Sequence, residues 1–133
     1  MPIPRVLYAS VFVLAFALES SGDPPASSAK APPPDPKPAP EIALAVGEWS
    51  IEFANGVIET CEIRKDGTAS ESEPNRKSDG KAVAKDGAIV IAFDDDRTER
   101  WTPVGKRMVV EHWFPSAKFP CGAPVLGIAD RER

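Results

Sequence analysis

Residues 97–114 read RTERWTPVGKRMVVEHWF, and the way this stretch pairs with itself decides the fold. Two runs rich in β-branched and aromatic residues flank Gly105-Lys106. A two-residue loop with Gly at its first central position suits a type II′ hairpin turn, because that position needs a positive φ. Such a turn sets Trp101 opposite Val110, Arg100 opposite Glu111 and Glu99 opposite His112. A slip of one residue would face Glu99 with Glu111, two like charges. Charge therefore selects the first register. Alternation then gathers Trp101, Met108, Val110 and Phe114 on one face together with Glu99 and His112. Thr98, Arg100 and Glu111 fall on the other face, joined by Trp113 as an apolar exception.

Upstream, four Asx-Gly dipeptides punctuate the chain: Asn55-Gly56, Asp66-Gly67, Asp79-Gly80 and Asp86-Gly87. Each adjoins a run with strand character, which is a strong short-range hairpin signal. Trp49, Ile51 and Phe53 alternate with Ser50 and Glu52. A two-residue loop at Asn55-Gly56 would set Glu52 against Glu59. A three-residue loop with Gly56 as a bulge instead brings Phe53 beside Val57 and Trp49 beside Cys61, uniting Trp49, Ile51, Phe53, Val57, Cys61 and Ile63 on one face. Asp66-Gly67 leads into a polar strand, Thr68 to Glu73. Pro74 to Asp79 reads as a hydrophilic loop and Lys81 to Lys85 as a short strand. Asp86-Gly87 closes a hairpin onto Ala88 to Phe93, and Asp94-Asp95-Asp96 makes the next turn. After the proline-rich loop Pro115 to Pro124, a last strand runs from Val125 to Asp130. The expectation is an all-β domain with no helix: an antiparallel up-and-down meander of about eight short strands, curled or closed into a small barrel. A two-sheet β-sandwich is the alternative. An eight-strand barrel of this size has an interior that side chains can fill.

The N-terminal third is of a different kind. Arg5 precedes a charge-free run of 13 residues, Val6 to Leu18, apolar but for Ser10. As a helix that run would reach only about 20 Å, short of a bilayer core of about 30 Å. A charged start, a short apolar stretch and small residues at Ala15-Phe16-Ala17, or later near Ser20 to Gly22, describe a signal peptide over residues 1–22. Left uncleaved, it would be the chain's one membrane contact. No Cys lies there, so a lipoprotein anchor is excluded. Residues 23–40 carry 8 prolines and form a Pro/Ala-rich disordered linker, extended and solvated. Residues 41–133 form the single small β-domain. It holds 13 Lys/Arg against 17 Asp/Glu, a net charge of 13 minus 17, or −4, with both signs interspersed. The lack of a basic stripe argues against nucleic-acid binding. A secreted, periplasmic or cell-envelope location follows from the leader.

Export permits a disulfide between Cys61 and Cys121, though the spacing alone does not require one. Neither has metal-site company in sequence, and no cofactor motif appears. Glu99 beside His112 is the sharpest candidate for chemistry, since a carboxylate can orient an imidazole as a base. No nucleophile stands at motif spacing, so the pair reads as a structural or binding feature near the barrel rim. Asp94 to Asp96 lacks the spacing of a calcium loop and reads as a solvated turn. Trp113, flanked by Arg100 and Glu111, can stack on a partner or pack between strands. The function expected is a non-enzymatic binding or interaction module. It would hold an unknown small ligand near Trp101, Glu99 and His112, or an envelope protein at Trp113, Arg100 and Glu111. A structural envelope component on a proline-rich stalk is the alternative, and a hydrolase using His112 the third reading.

Gly47-Glu48-Trp49 opens the first strand and resembles the Gly-x-Trp start of lipocalins and related calycin barrels. That resemblance implies a Trp closing one barrel end against a basic residue of a late strand, here Arg131 or Arg133. The stretch from Asp95 through Arg107-Met108 and Glu111-His112-Trp113-Phe114-Pro115 to Val125-Leu126-Gly127-Ile128-Ala129 is similar to small exported bacterial proteins of unknown function. This second likeness implies an exported β-domain and brings no activity or site residue with it.

Overall fold

Eight strands follow one another around a closed barrel in the computed structural model, which describes residues 33–34 and 37–133. They are β1 (Gly47–Phe53), β2 (Ile58–Ile63), β3 (Thr68–Glu73), β4 (Arg76–Lys85), β5 (Ala88–Phe93), β6 (Thr98–Val104), β7 (Arg107–Trp113) and β8 (Val125–Arg131). Every neighbour is antiparallel, and β8 returns to β1 to close the ring. Closure leaves no free sheet edge. The barrel, and not the two-sheet sandwich, is the architecture. The signal peptide, and the linker apart from residues 33–34 and 37–40, lie outside the described residues.

The turn chemistry explains the registers. Gly105 has φ +63° and Val104 pairs with Arg107, so β6 and β7 meet with Trp101 on Val110, Arg100 on Glu111 and Glu99 on His112, as charge complementarity requires. At Asn55-Gly56 the loop is the three-residue form: Gly56 sits at φ +83°, Phe53 N–H bonds Val57 O at 2.9 Å, and Trp49 pairs with Cys61. Asp86 and Gly87, at φ 53° and 75°, make the tight β4–β5 turn.

Asp79-Gly80 is not a turn. It lies in the middle of β4, which begins at Arg76, so the expected loop Pro74 to Asp79 shrinks to Pro74-Asn75 between the paired Glu73 and Arg76. The outer face of this half-strand is charged, and its inward position is the hydroxyl of Ser78, so hydropathy concealed it. Gly80 serves close approach instead: a Cβ there would stand 2.8 Å from the Ala92 carbonyl and 2.9 Å from the Phe93 ring.

The expectation of no helix also needs correcting. One short turn of helix, α1 (Pro40–Ala45), starts at a proline whose missing N–H is harmless at a first helical position. Six residues are too few for a periodic signal. This helix lies against β4 and β5 at one end of the barrel and buries Ile42 and Ala45. Trp49 Nε1–H donates to Ala45 O at 2.8 Å. Arg131 lays its guanidinium 4.5 Å from the centre of the Trp49 ring and donates to Val46 O at 2.6 Å and Leu44 O at 2.7 Å. Of the two arginines weighed from the sequence, Arg131 is the one against Trp49. The remaining interior is filled by Ile51, Ile63, Ile89, Ile91, Trp101, Met108 and Val110, with Trp49 and Trp101 edge-to-face at 5.9 Å.

Candidate functional site

The other end of the barrel is polar inside. Strand direction puts the β1–β2, β3–β4, β5–β6 and β7–β8 connections there, opposite the α1 end. Alternation along β2, β3, β4, β6 and β7 points Glu59, Glu71, Ser78, Glu99 and His112 inward, and all five are buried. Arg97, at the end of the β5–β6 turn, enters the same space and is 2% exposed. Its Nη1 donates to Glu71 Oε1 at 2.6 Å, its Nε to Asp95 Oδ2 at 2.7 Å and its Nη2 to Ser78 Oγ at 2.9 Å. Burial opposes ionisation of Asp95, but the Ser78 hydroxyl and Arg97 outweigh it and hold that carboxyl below its ordinary range. One residue of the triple-aspartate turn is thus a half-buried ion-pair partner at the rim rather than a fully solvated side chain.

Glu99 and His112 meet as the register demands. His112 Nδ1 lies 2.9 Å from Glu99 Oε1, and Trp101 Nε1–H donates to Glu99 Oε2 at 2.8 Å. Phe53 and Phe114 contact the imidazole edge-to-face at 5.4 and 4.8 Å. Phe114, expected inside with Trp101, is instead 44% exposed and leans over the ring at the mouth. A cleft of about 30 Å³ opens here, lined by Phe53, Val57, Glu59, Glu73, His112 and Phe114 among others. That volume suits an occupant the size of a water molecule or two.

Glu59 is the member sequence reasoning passed over. It is 1% exposed, and neither carboxyl oxygen has a hydrogen-bond partner; Glu71 Oε2 is in the same position. Burial, with repulsion from Glu99 and Glu71 added, pushes Glu59 up to about 11, so it carries a proton at neutral pH. Burial and Glu99 likewise raise Glu71, while Arg97 pulls the other way. A proton on Glu59 shared with Glu71 Oε2 would satisfy both groups. The signal was available: Glu59 stands between Val57 and Cys61, both assigned to the inward face. Arg97 carried the same signal, since position 97 shares the inward parity of Glu99 and Trp101, although the strand itself begins one residue later at Thr98.

The second expected site dissolves. Trp113 points outward from β7, yet it is 2% exposed because the β7–β8 loop folds over it. Phe119 packs edge-to-face on its ring at 4.8 Å, its Nε1–H donates to Gly122 O at 2.7 Å, and Arg100 stacks 5.3 Å from its centre. Arg100 in turn grips Glu111 through two hydrogen bonds of 2.5 and 2.8 Å. Trp113, Arg100 and Glu111 therefore anchor their own loop, and Trp113 offers no open ring to a ligand. The Cys61–Cys121 bridge is also absent: both thiols are free, Cys61 inside the barrel and Cys121 exposed on the loop. Burial, with Glu99 nearby, raises the Cys61 thiol well above its ordinary range and makes it a poor nucleophile.

No protein-family model, no curated protein and no solved structure matches this chain. The chemistry of the site must therefore be read from its own residues.

Proposed function

We propose that the domain is a non-catalytic binding module of an exported protein, carried on the proline-rich stretch in the periplasm or at the cell surface. Its barrel takes one small polar ligand at the mouth, beside His112 and Glu59. The observation that carries this reading is the held imidazole. Glu99 fixes one ring nitrogen, two phenylalanines fix the ring's plane, and an unpartnered carboxyl faces the same cleft. Rigid side chains around a small concave space favour binding, because little freedom is lost when the ligand arrives. The hydrolase reading has less support, since Glu99 and the two phenylalanines account for the contacts of the ring.

The test is to follow the His112 ring resonances by NMR while titrating small amines, small carboxylates and metal ions. Saturable shifts that vanish in Glu59→Gln support the mouth site. Resonances unmoved by every class would end it.

A second reading, docking to an envelope protein, rests on a different observation. Glu52 of β1 pairs with Ile58 on one side and Ile128 on the other, and both isoleucines are exposed. Val109 continues the row beside Ile128, with Leu126 exposed on β8. Ile58→Lys with Ile128→Lys should release the protein from an envelope fraction if this face docks it, and leave fractionation unchanged if it does not.

A further inference from the structure

Glu59 is the least accounted-for side chain in the barrel. It is buried, lines the mouth cleft and leaves both oxygens without a hydrogen bond. One ligand-type atom from each of Glu59, Glu99 and His112 lies within 4.8 Å of the other two. We propose that these three residues hold a divalent transition-metal ion, Zn²⁺ being the representative case. The inference rests on the mouth-site reading above and names its ligand.

Charge is the first argument. The interior holds one arginine, and its guanidinium is committed to Glu71, Asp95 and Ser78. Among the described residues, no cationic side chain pairs with Glu59, and Glu99 is paired only with His112 and Trp101. Metal binding would release the proton that Glu59 carries in the empty barrel, leaving two carboxylates beside an imidazole to match the charge of one divalent cation.

Donor chemistry is the second. An imidazole with two carboxylates suits Zn²⁺ and its neighbours among the transition metals. Calcium asks for six to eight oxygens and magnesium for an octahedral shell of oxygens, which two carboxyl groups and a ring nitrogen do not supply. Three protein donors and one position open to the cleft make a complete tetrahedral set. A second trio, Glu59, Glu71 and Glu73, also comes within 4.8 Å, but Arg97 already occupies Glu71 Oε1 and would repel a cation there.

Preorganisation is the third. Glu59, Glu99 and His112 stand on β2, β6 and β7, inside the barrel wall rather than on loops. Trp101 fixes Glu99, and Phe53 and Phe114 fix the ring, so the donors need little rearrangement.

The test uses the full-length chain stripped with a chelator. Calorimetric titration with Zn²⁺ should give one ion per chain, and Co²⁺ should develop the visible bands of a four- or five-coordinate site. Glu59→Gln should weaken both by about 100-fold or more, as should His112→Gln. Cys121→Ser should bind like the parent, which separates this site from an exposed thiol. Near-ultraviolet circular dichroism establishes that each variant is folded. Should His112→Gln fail to fold, Glu59→Gln decides alone, because glutamine replaces the neutral acid without changing its shape. No binding of Zn²⁺, Co²⁺ or Ni²⁺, or binding that survives both variants, overturns the proposal. If those ions leave the His112 resonances in place while a small amine or carboxylate moves them, the metal is wrong and the mouth site stands. If nothing moves them, both readings fall together.

Discussion

Replacing Glu59 by glutamine should stabilise this domain at neutral pH, although the change removes a buried acid. Glu59 has its pKa pushed from 4.5 to about 11 by burial and by the carboxyls of Glu99 and Glu71. The folded chain therefore keeps a proton that the unfolded chain releases above pH 4.5. Stability rises with pH only where the unfolded state binds more protons, and here it binds fewer. The contribution of the protonated carboxyl is whole below pH 4.5 and declines as pH rises toward the folded value. Each unit of that interval is worth about 1.4 kcal/mol, so at pH 7 the penalty is about 3 kcal/mol. Glutamine has the size of the neutral acid, one side able to donate to Glu71 Oε2, and no proton to lose.

Urea unfolding, followed by tryptophan fluorescence with a chelator present, measures the difference directly. The two proteins should be equally stable near pH 4.5. Between pH 5 and 8 the Glu59→Gln protein should gain on the parent by about 1.4 kcal/mol per unit. Titrating groups away from the mouth are common to both proteins and cancel in the comparison, while Glu71, which faces position 59, adds a smaller difference of its own. Parallel curves across this range would refute the reasoning, and so would a variant weaker than the parent at pH 7. Parallel curves would mean that the carboxyl is ionised in the folded barrel; a weaker variant would mean that glutamine fails to replace the protonated acid.

Three further outcomes follow from the packing. Trp113→Ala should cost about 3 kcal/mol, the usual loss for a buried tryptophan, and should expose the β7–β8 loop to limited proteolysis near Phe119; a loop that stays resistant would contradict its anchoring role. Arg131→Met should cost about 1–2 kcal/mol by removing two carbonyl contacts and the cover over Trp49, and acrylamide should then quench the fluorescence more strongly. A thiol reagent should label one cysteine in the native protein, Cys121, and both after denaturation without reductant; labelling of neither in the denatured chain would mean a bridge.

Much of the barrel was legible because its turns are chemically explicit. Gly56, Gly67, Gly87 and Gly105 all occupy positive φ at strand reversals, a region glycine enters without steric penalty. Opposite charges at Arg100 and Glu111 then settled the β6–β7 register, and with it the meeting of Glu99 and His112. Asp79-Gly80 misled because the dipeptide carries the same chemistry when a glycine is wanted for another reason. There the missing Cβ admits the Ala92 carbonyl of the neighbouring strand. Trp113 misled in a related way. Its outward direction followed correctly from alternation, but a loop of prolines and glycines has no periodicity from which its path over the ring could be foreseen.

The polar interior was concealed by a rule that usually serves well: charged residues face water. Once β2 is registered on β1, alternation leaves Glu59 no choice. Trp49 beside Cys61, and Phe53 bonded to Val57 at the turn, fix the inward parity of 59, 61 and 63, so the acid at 59 must go with them. Along β3 and β4 the same parity turns Glu71 and Ser78 inward between residues that hydropathy calls exposed. A strand whose pattern is broken at one inward position by an acid can be read as a mistaken strand or as a strand with a purpose. The neighbours decide between them. Here the breaks at 59, 71, 99 and 112 all come to the mouth half of one barrel, while the opposite end is closed by Trp49 and α1. Random tolerance of polar residues would scatter them around the core. Their convergence on the only histidine in the chain, together with a buried acid whose nearest polar partner is a second acid, is what gives this end of the barrel chemical meaning.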